Sequence, residues 1–368
     1  MKFLRELLVG YVPYSLTFEY PGDRRRFCYY ASKRNIRFEI AKPSQAYDVV
    51  VLTQAADISF WSQYPRGRTK IVFDFIDSYL SVPTLSPKNL LRGVAKFATR
   101  QNQRLLLNYT RGLREMCRRA DATVCSTEEQ RQAVLHFCPN THVILDVHGT
   151  AVRECKSDYA VDDVFHFVWE GLPGNFRHLL EIREVLESLR RKCPFMIHAI
   201  TDLQYGRYLH GQFAKRNTLN DARKLSPHIR LYAWHEHTFS AIVRSCDLAL
   251  IPIPLQDPIC AGKPENKLLL FWRIGMPVLA SATAAYSRAM KRSGLAMACA
   301  TREDWQAALE YYTSHEDARK QAGQRGKAFA EEEYSEESTL LLWDEVFRSL
   351  HGESNVEGAQ MTSLHTWS

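Results

Sequence analysis

Residues 247–281 read DLALIPIPLQDPICAGKPENKLLLFWRIGMPVLAS, and this stretch decides the fold. Leu248 to Ile253 are a short apolar run, typical of a strand that is buried on both faces. The segment KPENK at 263–267 has the proline and the acidic residue that favour the first turn of a helix. Gly275 ends that helix, and residues 277–281 predict the next strand. Such a unit leaves a helix N-terminus at the carboxyl edge of a parallel sheet, where a phosphate can bind.

The segment KPENKLLLFWRIGMPVLAS at 263–281 resembles the donor-site segment of GT-B glycosyltransferases, specifically the large group-1, family 4-like set. In that set a Pro-x-Asn-Lys helix start precedes a Gly-x-Pro-Val strand. The similarity runs through Phe165–Leu350 and more faintly through Met1–Gly149. It implies an α/β protein with the GT-B fold, in which two Rossmann-like domains face each other across a cleft. On geometry alone, any α/β domain remains the alternative, because short βαβ units are common.

Two successive series of apolar strands and helices predict two domains, and 368 residues are enough for both. We expect an N-terminal, acceptor-side domain over residues 1–150. A C-terminal domain that binds the nucleotide sugar is expected over residues 164–333. The resemblance implies that a helix at 334–350 crosses back to the first domain. Residues 351–368 lack periodicity and are expected to be disordered.

The distribution of charge and the cysteine content indicate the cellular compartment to expect for this protein. Residues 1–150 contain 22 Lys and Arg against 13 Asp and Glu, so the net charge of +7 is concentrated there. Nine cysteines without a Cys-x-x-Cys pair argue against a zinc knuckle or a disulfide framework and favour a reducing compartment. No apolar run approaches the ~20 residues of a membrane span. We therefore expect a cytoplasmic protein, with a peripheral position at the inner membrane face as a further possibility.

Basic residues recur every four positions in a predicted helix over 88–119; they are Lys88, Arg92, Lys96 and Arg100. The simplest interpretation is a solvated helix face. A basic amphipathic helix also binds anionic lipid surfaces, so peripheral contact with an anionic membrane is the alternative. We expect no nucleic-acid partner.

The second domain provides candidate donor-binding residues. The strand at 165–170 leads into the turn Gly171–Asn175, and such a glycine-containing turn lets backbone approach a diphosphate. Arg177 follows in the first helical turn, where a solvent-facing arginine is the alternative. The resemblance implies that Trp234 lies near the nucleobase. The complete donor-binding set is Gly171, Asn175, Arg177, Trp234, Lys263, Glu265, Asn266 and Lys267.

Metal chemistry is not expected. The sequence His235-Glu236-His237 contains two possible ligands, but side chains two apart on a helix diverge and no third ligand has suitable spacing. No Asp-x-Asp motif occurs either. This pattern is in keeping with an enzyme that stabilises the leaving diphosphate with protein groups. No cofactor is expected beyond the nucleotide-sugar substrate.

The first domain provides candidates on the acceptor side. Asp77 follows a strand that ends FDFIDSYLS, at the carboxyl edge where α/β folds place working residues. We predict that Asp77 is catalytic and takes or orients the proton of the acceptor hydroxyl. The alternative is that Asp77 caps the following turn and that Asp74 pairs with a nearby base. Tyr14 and Ser15, in the first loop, are candidate acceptor-binding residues, and His148 could approach the donor phosphate.

The resemblance implies a glycosyltransferase that moves a sugar from a nucleotide-diphosphate sugar to a glycan or lipid-linked acceptor, in cell-envelope or exopolysaccharide assembly. One departure is clear: Leu270 stands where the family has a donor-helix glutamate. Two alternatives therefore stay open. One is a catalytically silent homologue that acts as a binding partner, and the other is a nucleotide-sugar epimerase or phosphorylase on the same fold. The sequence leaves the donor sugar, the acceptor and the stereochemical outcome open.

Overall fold

The computed structural model describes residues 6–81, 94–98, 102–206, 215–225 and 228–351, and within these ranges it contains two parallel six-stranded sheets. The first sheet has the order β2-β1-β3-β4-β5-β6. Its strands are β1 Val9–Val12, β2 Phe38–Ile40, β3 Val49–Thr53, β4 Lys70–Asp74, β5 Ala122–Cys125 and β6 Thr141–Val143.

The second sheet has the order β11-β8-β7-β12-β13-β14, and β9 and β10 form a separate antiparallel hairpin. The strands of this half are β7 Phe165–Glu170, β8 Phe195–Thr201, β9 Gln204–Gly206, β10 Lys215–Asn217, β11 Ile229–Ala233, β12 Leu248–Ile251, β13 Val278–Ser281 and β14 Ala298–Cys299. Each sheet is wound in both directions from its first strand, as in a Rossmann-like domain.

Helices connect the strands in both halves. Those of the first half are Pro21–Arg24, Phe27–Arg34, Ile58–Trp61, Tyr109–Arg119 and Glu128–Leu135. Those that follow are Arg183–Arg190, Thr218–Leu225, Phe239–Arg244, Pro258–Ala261, Asn266–Arg273, Ala284–Ser293, Arg302–Ser314, Glu316–Glu333 and Glu336–Ser349. Short 3₁₀ segments lie at Tyr79–Ser81, Gly149–Ala151 and Pro173–Ile182.

The continuous apolar strands are explained by burial on both faces. In β3 all five residues are buried. Val49 and Val51 belong to the apolar cluster on one face of the sheet, whereas Val50 and Leu52 belong to the cluster on the other. Successive side chains point to opposite faces, so a strand with helices on both sides needs apolar residues at every position.

The last helix, Glu336–Ser349, packs against the first sheet rather than the second. Its Trp343 and Phe347 join the apolar cluster that contains Phe27 and Tyr30. The ring centroids of Tyr30 and Trp343 are 5.7 Å apart, and those of Tyr30 and Phe347 are 5.6 Å apart. The Tyr30 hydroxyl donates to the Asp344 carboxylate at 2.9 Å, so the buried polar atoms at this contact are paired.

The helix predicted over residues 88–119 is wrong as a single element. Residues 94–98 are helical, the chain leaves the helix at 102–108, and a new helix begins at Tyr109. The Asn108 side chain accepts from the Arg111 backbone N–H, which is the usual N-cap interaction. The sequence contains few helix breakers here, so the cap at Asn108 was the signal for a new start.

Lys96 points inward in the structure. Its ammonium donates to the Tyr109 hydroxyl at 3.0 Å and to the Gln54 carbonyl at 3.5 Å. The other three members of the predicted basic stripe, Lys88, Arg92 and Arg100, lie outside the described residues, as does the predicted disordered tail from residue 352 onward. Among the described helices, none is both long and apolar enough to cross a membrane.

The helix Asn266–Arg273 is held in place by close contact with Glu316–Glu333. A Cβ added at Gly326 would lie 2.5 Å from the Trp272 ring, and one at Gly323 would lie 2.2 Å from the carbonyl oxygen of Gly275. Only glycine permits this approach of the two helices. The packing fixes the helix that begins at the carboxyl edge of the second sheet.

We expect folding stability to fall as the pH drops from about 6.5 to about 4. Burial, followed by the neighbouring His166 and Arg230, lowers the pKa of His198 from 6.5 to about 4. His166 Nδ1 lies 2.9 Å from His198 Nε2. The unfolded chain therefore binds a proton in this range that the folded chain rejects, so stability is full above pH 6.5 and is lost on acidification.

Urea unfolding at pH 7.5 and pH 5.0 tests this expectation. The difference in unfolding free energy between the two pH values should shrink in His198→Asn and persist in His315→Asn, whose ring is exposed. An equal pH dependence in the wild type and His198→Asn would show that this histidine pair does not contribute.

Candidate functional site

The carboxyl edges of the two sheets meet across a cleft. Ser78, just past β4, donates its hydroxyl to the Gly262 carbonyl oxygen at 2.9 Å. A Cβ at Gly262 would lie 2.5 Å from the Ser78 Oγ, so this approach requires glycine. Nearby, the backbone N–H of Asp146 donates to the Asn266 side-chain oxygen at 3.1 Å. The loop between β12 and the helix at 266 therefore touches the first domain directly.

Gly171 and Lys267, both predicted from the sequence, come together at the end of β7. The Lys267 ammonium donates to the Glu170 backbone carbonyl at 2.7 Å and lies 3.6 Å from the Glu170 carboxylate. A Cβ at Gly171 would lie 2.7 Å from Lys267 Nζ. Glycine at position 171 thus leaves space for the ammonium group beside the strand end.

Lys263 is the predicted residue that is best placed to bind an anion. Within the described part of the chain, its ammonium forms no hydrogen bond and no ion pair. Burial lowers the pKa of Lys263, and the Lys267 ammonium lowers it further, while Asp77 and Asp257 act in the opposite direction. A half-buried cation beside a second cation is destabilised by both effects, and a bound anion would relieve both.

His178 is a residue of this corner that the sequence reasoning missed. It lies in the 3₁₀ segment after β7, is buried, and has its Nε2 3.9 Å from the Cys260 sulfur. Burial, followed by the charges of Lys263, Lys267 and Arg177, lowers the pKa of His178 to about 4. The imidazole is therefore neutral near pH 7. A lone histidine in a helical segment gives no sequence signal that would have found it.

Arg177 and Asn175 lie at the same strand end. Arg177 is exposed, and its charge acts on both His178 and Cys260. Asn175 is partly buried, and its backbone N–H donates to the Leu172 carbonyl at 2.8 Å, which closes the turn after β7. The cationic corner, as we call it below, consists of Arg177, His178, Lys263 and Lys267.

Glu265 lies away from the cationic corner, although the sequence grouped it with Lys263. Its carboxyl group is buried and accepts from the Tyr334 hydroxyl at 3.4 Å. Burial raises the pKa of Glu265, and the nearby Arg288 opposes this effect. Glu265 and Arg288 line a separate cavity of about 450 Å³ between the two domains. A helix start turns neighbouring side chains in different directions, which the linear sequence does not show.

Trp234 lies across the cleft from an arginine of the first domain. The Arg24 guanidinium carbon is 4.3 Å from the centre of the Trp234 ring, and Arg24 Nη1 is 3.5 Å from the Glu236 carboxylate. Trp234 Nε1 and Arg24 Nε are both buried without a hydrogen-bond partner among the described residues. The sequence reasoning missed Arg24, because its role depends on the meeting of two domains.

Asp77 lies on the first-domain side of the cleft with its carboxylate held by one amide. Gln54 Nε2 donates to Asp77 Oδ2 at 3.4 Å, and Gln54 Oε1 accepts from the Asp77 backbone N–H at 3.1 Å. The turn that follows is closed by the backbone, since the Tyr79 N–H donates to the Asp77 carbonyl oxygen at 2.8 Å. The carboxylate itself is therefore not the cap of this turn.

Asp74, three residues earlier, is structural. Arg26 donates to its carboxylate from Nε at 2.9 Å and from Nη2 at 2.6 Å, and both side chains are buried. Arg26 Nη1 also donates to the Ile144 carbonyl at 2.7 Å. The pair joins the first helix region to β4 and to Ile144, the residue that follows β6.

Tyr14 and Ser15 are fixed in the first loop by their backbone groups. Their backbone N–H groups donate to the buried Asp23 carboxylate at 2.8 and 3.0 Å. The Tyr14 hydroxyl is buried, and burial raises its pKa. His148, another candidate, is buried and lies 3.0 Å from an Arg273 nitrogen. These residues shape the first loop and the link between the domains.

The architecture is similar to that of several solved structures. No protein-family model and no curated protein sequence matches the chain. HepE from Anabaena, solved in complex with UDP, superposes with a TM-score of 0.57 at 11% identity and covers 87% of this chain and 88% of its own. Sucrose-phosphate synthase from Thermosynechococcus elongatus gives 0.56 at 13% identity, with 94% and 81% covered. TarM, for which an S. aureus mutant complex is also known, gives 0.55 at 12% identity.

The chain has the GT-B fold. The structural match covers 81% of this chain but only 54% of TarM, so the chain spans about half the length of that protein. The fold class predicted from residues 263–281 is thereby confirmed. Within this GT-B fold, the cationic corner belongs to the second domain, and Asp77 and Arg24 reach the cleft from the first.

Proposed function

We propose that this protein is a metal-independent glycosyltransferase that moves a sugar from a nucleotide-diphosphate sugar to a glycan or lipid-linked acceptor, in cell-envelope or exopolysaccharide assembly. The observation that carries the proposal is the cationic corner. Lys263 has no partner among the described residues, Lys267 lies at the end of β7, and Gly171 lets the Lys267 ammonium approach the backbone there. A leaving nucleoside diphosphate is the group that such a corner suits best.

The proposed chemistry divides the work between the domains. When the bond between the sugar and the diphosphate breaks, negative charge develops on the leaving phosphate, and Lys263 and Lys267 stabilise it. Asp77 accepts or orients the proton of the acceptor hydroxyl from the opposite side of the cleft. Positioning both reactants between two domains replaces a bimolecular encounter with a preorganised one. TarM has been solved with UDP and a GlcNAc-glycerol, and HepE with UDP, which supports a nucleotide donor of this kind.

A second candidate is a GT-B protein that binds a nucleotide sugar or a partner without transferring the sugar. Leu270 favours it, because this residue is fully buried in the core of the second domain and presents no carboxylate to the cleft. Glu265, the nearest acidic residue on the same helix start, faces Tyr334 instead. Donor contacts that the family makes from position 270 must come from other groups here.

A screen of nucleotide sugars by thermal shift tests the proposal. We expect one nucleotide series among UDP-, GDP-, ADP- and dTDP-sugars to raise the melting temperature, because ligand binding to the folded state alone stabilises it. Release of the nucleoside diphosphate with acceptor present would then separate the transferase from the silent protein. Stabilisation by none of the four series would contradict the transferase and leave only the silent protein that binds a partner.

We infer peripheral contact with anionic membranes through Lys88, Arg92 and Arg100, without Lys96. The supporting observation comes from described residues of the same stretch of sequence: Phe97, Leu105 and Leu107 are exposed, with Leu107 at 65%. Each basic residue near an anionic surface contributes about 1 kcal/mol, and salt weakens the attraction.

Charge reversal of Lys88, Arg92 and Arg100 is therefore expected to abolish co-sedimentation with anionic vesicles at low salt. The matched control is charge reversal at three exposed arginines of the second domain, Arg183, Arg190 and Arg191. Equal co-sedimentation of the two triple variants would show that the N-terminal charges have no special role.

A further inference from the structure

His178 is a buried imidazole surrounded by more positive than negative charge. It is only 4% exposed, and its Nε2 lies 3.9 Å from Cys260. The ionisable groups that act on it or on Cys260 come from its own 3₁₀ segment, from the loop after β12, from the helix at 266 and from the first domain. They are Arg177, Asp257, Lys263, Lys267 and Asp77.

The carboxylates in this set are engaged elsewhere. The Asp257 side chain accepts from the backbone N–H groups of Ile259 and Cys260 at 2.9 and 3.3 Å, where it caps a short helix. Asp77 is held by Gln54 on the other side of the cleft. His178 therefore lies next to Arg177 in its own segment and against Cys260, whose carbonyl oxygen accepts from the Lys263 backbone N–H at 3.2 Å. The charges of Arg177, Lys263 and Lys267 oppose a fourth positive charge on its ring.

A dianionic diphosphate bound at the cationic corner reverses the sign of this local field. The charges of Lys263, Lys267 and Arg177 would then be compensated, and an added proton on His178 would be attracted by the ligand instead of being repelled by the lysines. Because ligand and proton favour each other's binding, the coupling is reciprocal: acid strengthens ligand binding, and ligand binding draws in a proton.

From this geometry we infer that His178 takes up a proton when a nucleotide-sugar diphosphate binds. The imidazolium formed in this way adds a fourth positive charge to the site that holds the donor. The inference rests on the proposed function, since it assumes that the cationic corner binds a diphosphate. It assigns His178 the role of a proton-linked anion-binding residue. It also predicts that donor affinity rises with acidity, even though the donor itself does not titrate.

Calorimetry with UDP-glucose and GDP-mannose tests the inference. Each of their two phosphates carries one ester bond and the shared anhydride bond, so these probes lack the terminal-phosphate ionisation near pH 6 that would obscure the result with UDP. At pH 6, the apparent binding enthalpy should vary with the ionisation enthalpy of the buffer, with a slope that corresponds to uptake of up to about one proton. If binding returns His178 from a pKa of about 4 to the ordinary value near 6.5, affinity should be about tenfold tighter at pH 5.5 than at pH 7.5.

His178→Asn should abolish the buffer dependence and reduce the affinity ratio between the two pH values to about one. The matched control is His315→Asn, which replaces an exposed histidine and should leave both effects in place. Because His178 is buried and the variant could fold poorly, histidine-selective NMR of the wild type provides a second measurement. The His178 ring signal should titrate at higher pH when the sugar nucleotide is present.

The possible outcomes separate the inference from the proposed function. Binding of either probe with no proton uptake and no ligand-induced shift in the His178 titration would overturn the inference and leave the donor site intact. Absence of binding by both probes and by the ADP- and dTDP-sugars would overturn the donor site and the inference together. Proton uptake that persists in a folded His178→Asn variant would assign the coupling to another group and would also overturn the inference.

Discussion

Asp77→Asn is expected to reduce turnover by ~10²–10⁴-fold, the usual range for loss of a positioned acid–base group. Asparagine keeps the shape of the side chain and can still contact Gln54, which is the partner of Asp77 in the structure. It cannot accept a proton from the acceptor hydroxyl. Steady-state kinetics with saturating donor, together with donor titration, would measure the effect. Donor affinity and melting temperature should change little.

The exposed Asp163 provides the matched control, since Asp163→Asn removes a carboxylate far from the cleft contacts. The structure also bears on the alternative interpretation, in which Asp77 caps the following turn. Because the backbone carbonyl of Asp77 closes the turn to Tyr79, the side chain is not needed as a cap, and a large loss of stability is not expected. Near-normal turnover in Asp77→Asn would remove this residue from the mechanism.

Lys263→Ala is expected to weaken binding of the nucleotide diphosphate by ~1.5–3 kcal/mol, about 10- to 150-fold in the dissociation constant. The lysine has no partner among the described residues, so its removal leaves no buried protein carboxylate unpaired. Loss of one of two neighbouring cations should even stabilise the unliganded protein slightly. Calorimetry and thermal unfolding of the same variant would show opposite trends in affinity and stability.

Lys320→Ala is the control for Lys263, because Lys320 is exposed on the helix Glu316–Glu333. It should change neither quantity measurably. Unaltered affinity in a folded Lys263→Ala variant would show that the diphosphate binds elsewhere. The 450 Å³ cavity at Glu265 and Arg288 would then be the next place to test.

The fold could be predicted from the sequence because its signals are local and repeated. The apolar run at β12, the helix start at Asn266 and the strand Val278–Ser281 all lie within one short stretch. Buried parallel strands require apolar residues on both faces, so each strand is recognisable by itself. The resemblance then supplied the arrangement of the two domains, which local patterns do not contain.

The candidate site was less predictable because its parts meet only in the folded chain. Arg24 and Trp234 are 210 positions apart, yet their side chains are in contact. His178 becomes unusual only through cations that belong to a different loop. Glu265 and Lys263 are near neighbours in sequence, but the Glu265 side chain turns to Tyr334, away from Lys263. The partner of Lys96 could not be predicted either, because its ammonium meets the Tyr109 hydroxyl only in the folded chain.

The connections between the domains have a mechanical consequence. The linker is fastened to the second domain, since the Tyr159 hydroxyl donates to the Gly275 carbonyl at 2.7 Å. The last helix is fastened to the first domain, where Tyr29 donates to Glu336 at 2.7 Å. Only Tyr334 and Ser335 separate that helix from Glu316–Glu333, so any opening of the cleft must bend the chain at this hinge. Tyr334 also touches Glu265 at the start of the helix Asn266–Arg273, and rotation of one domain would therefore act on the first turn of the helix that carries Lys267.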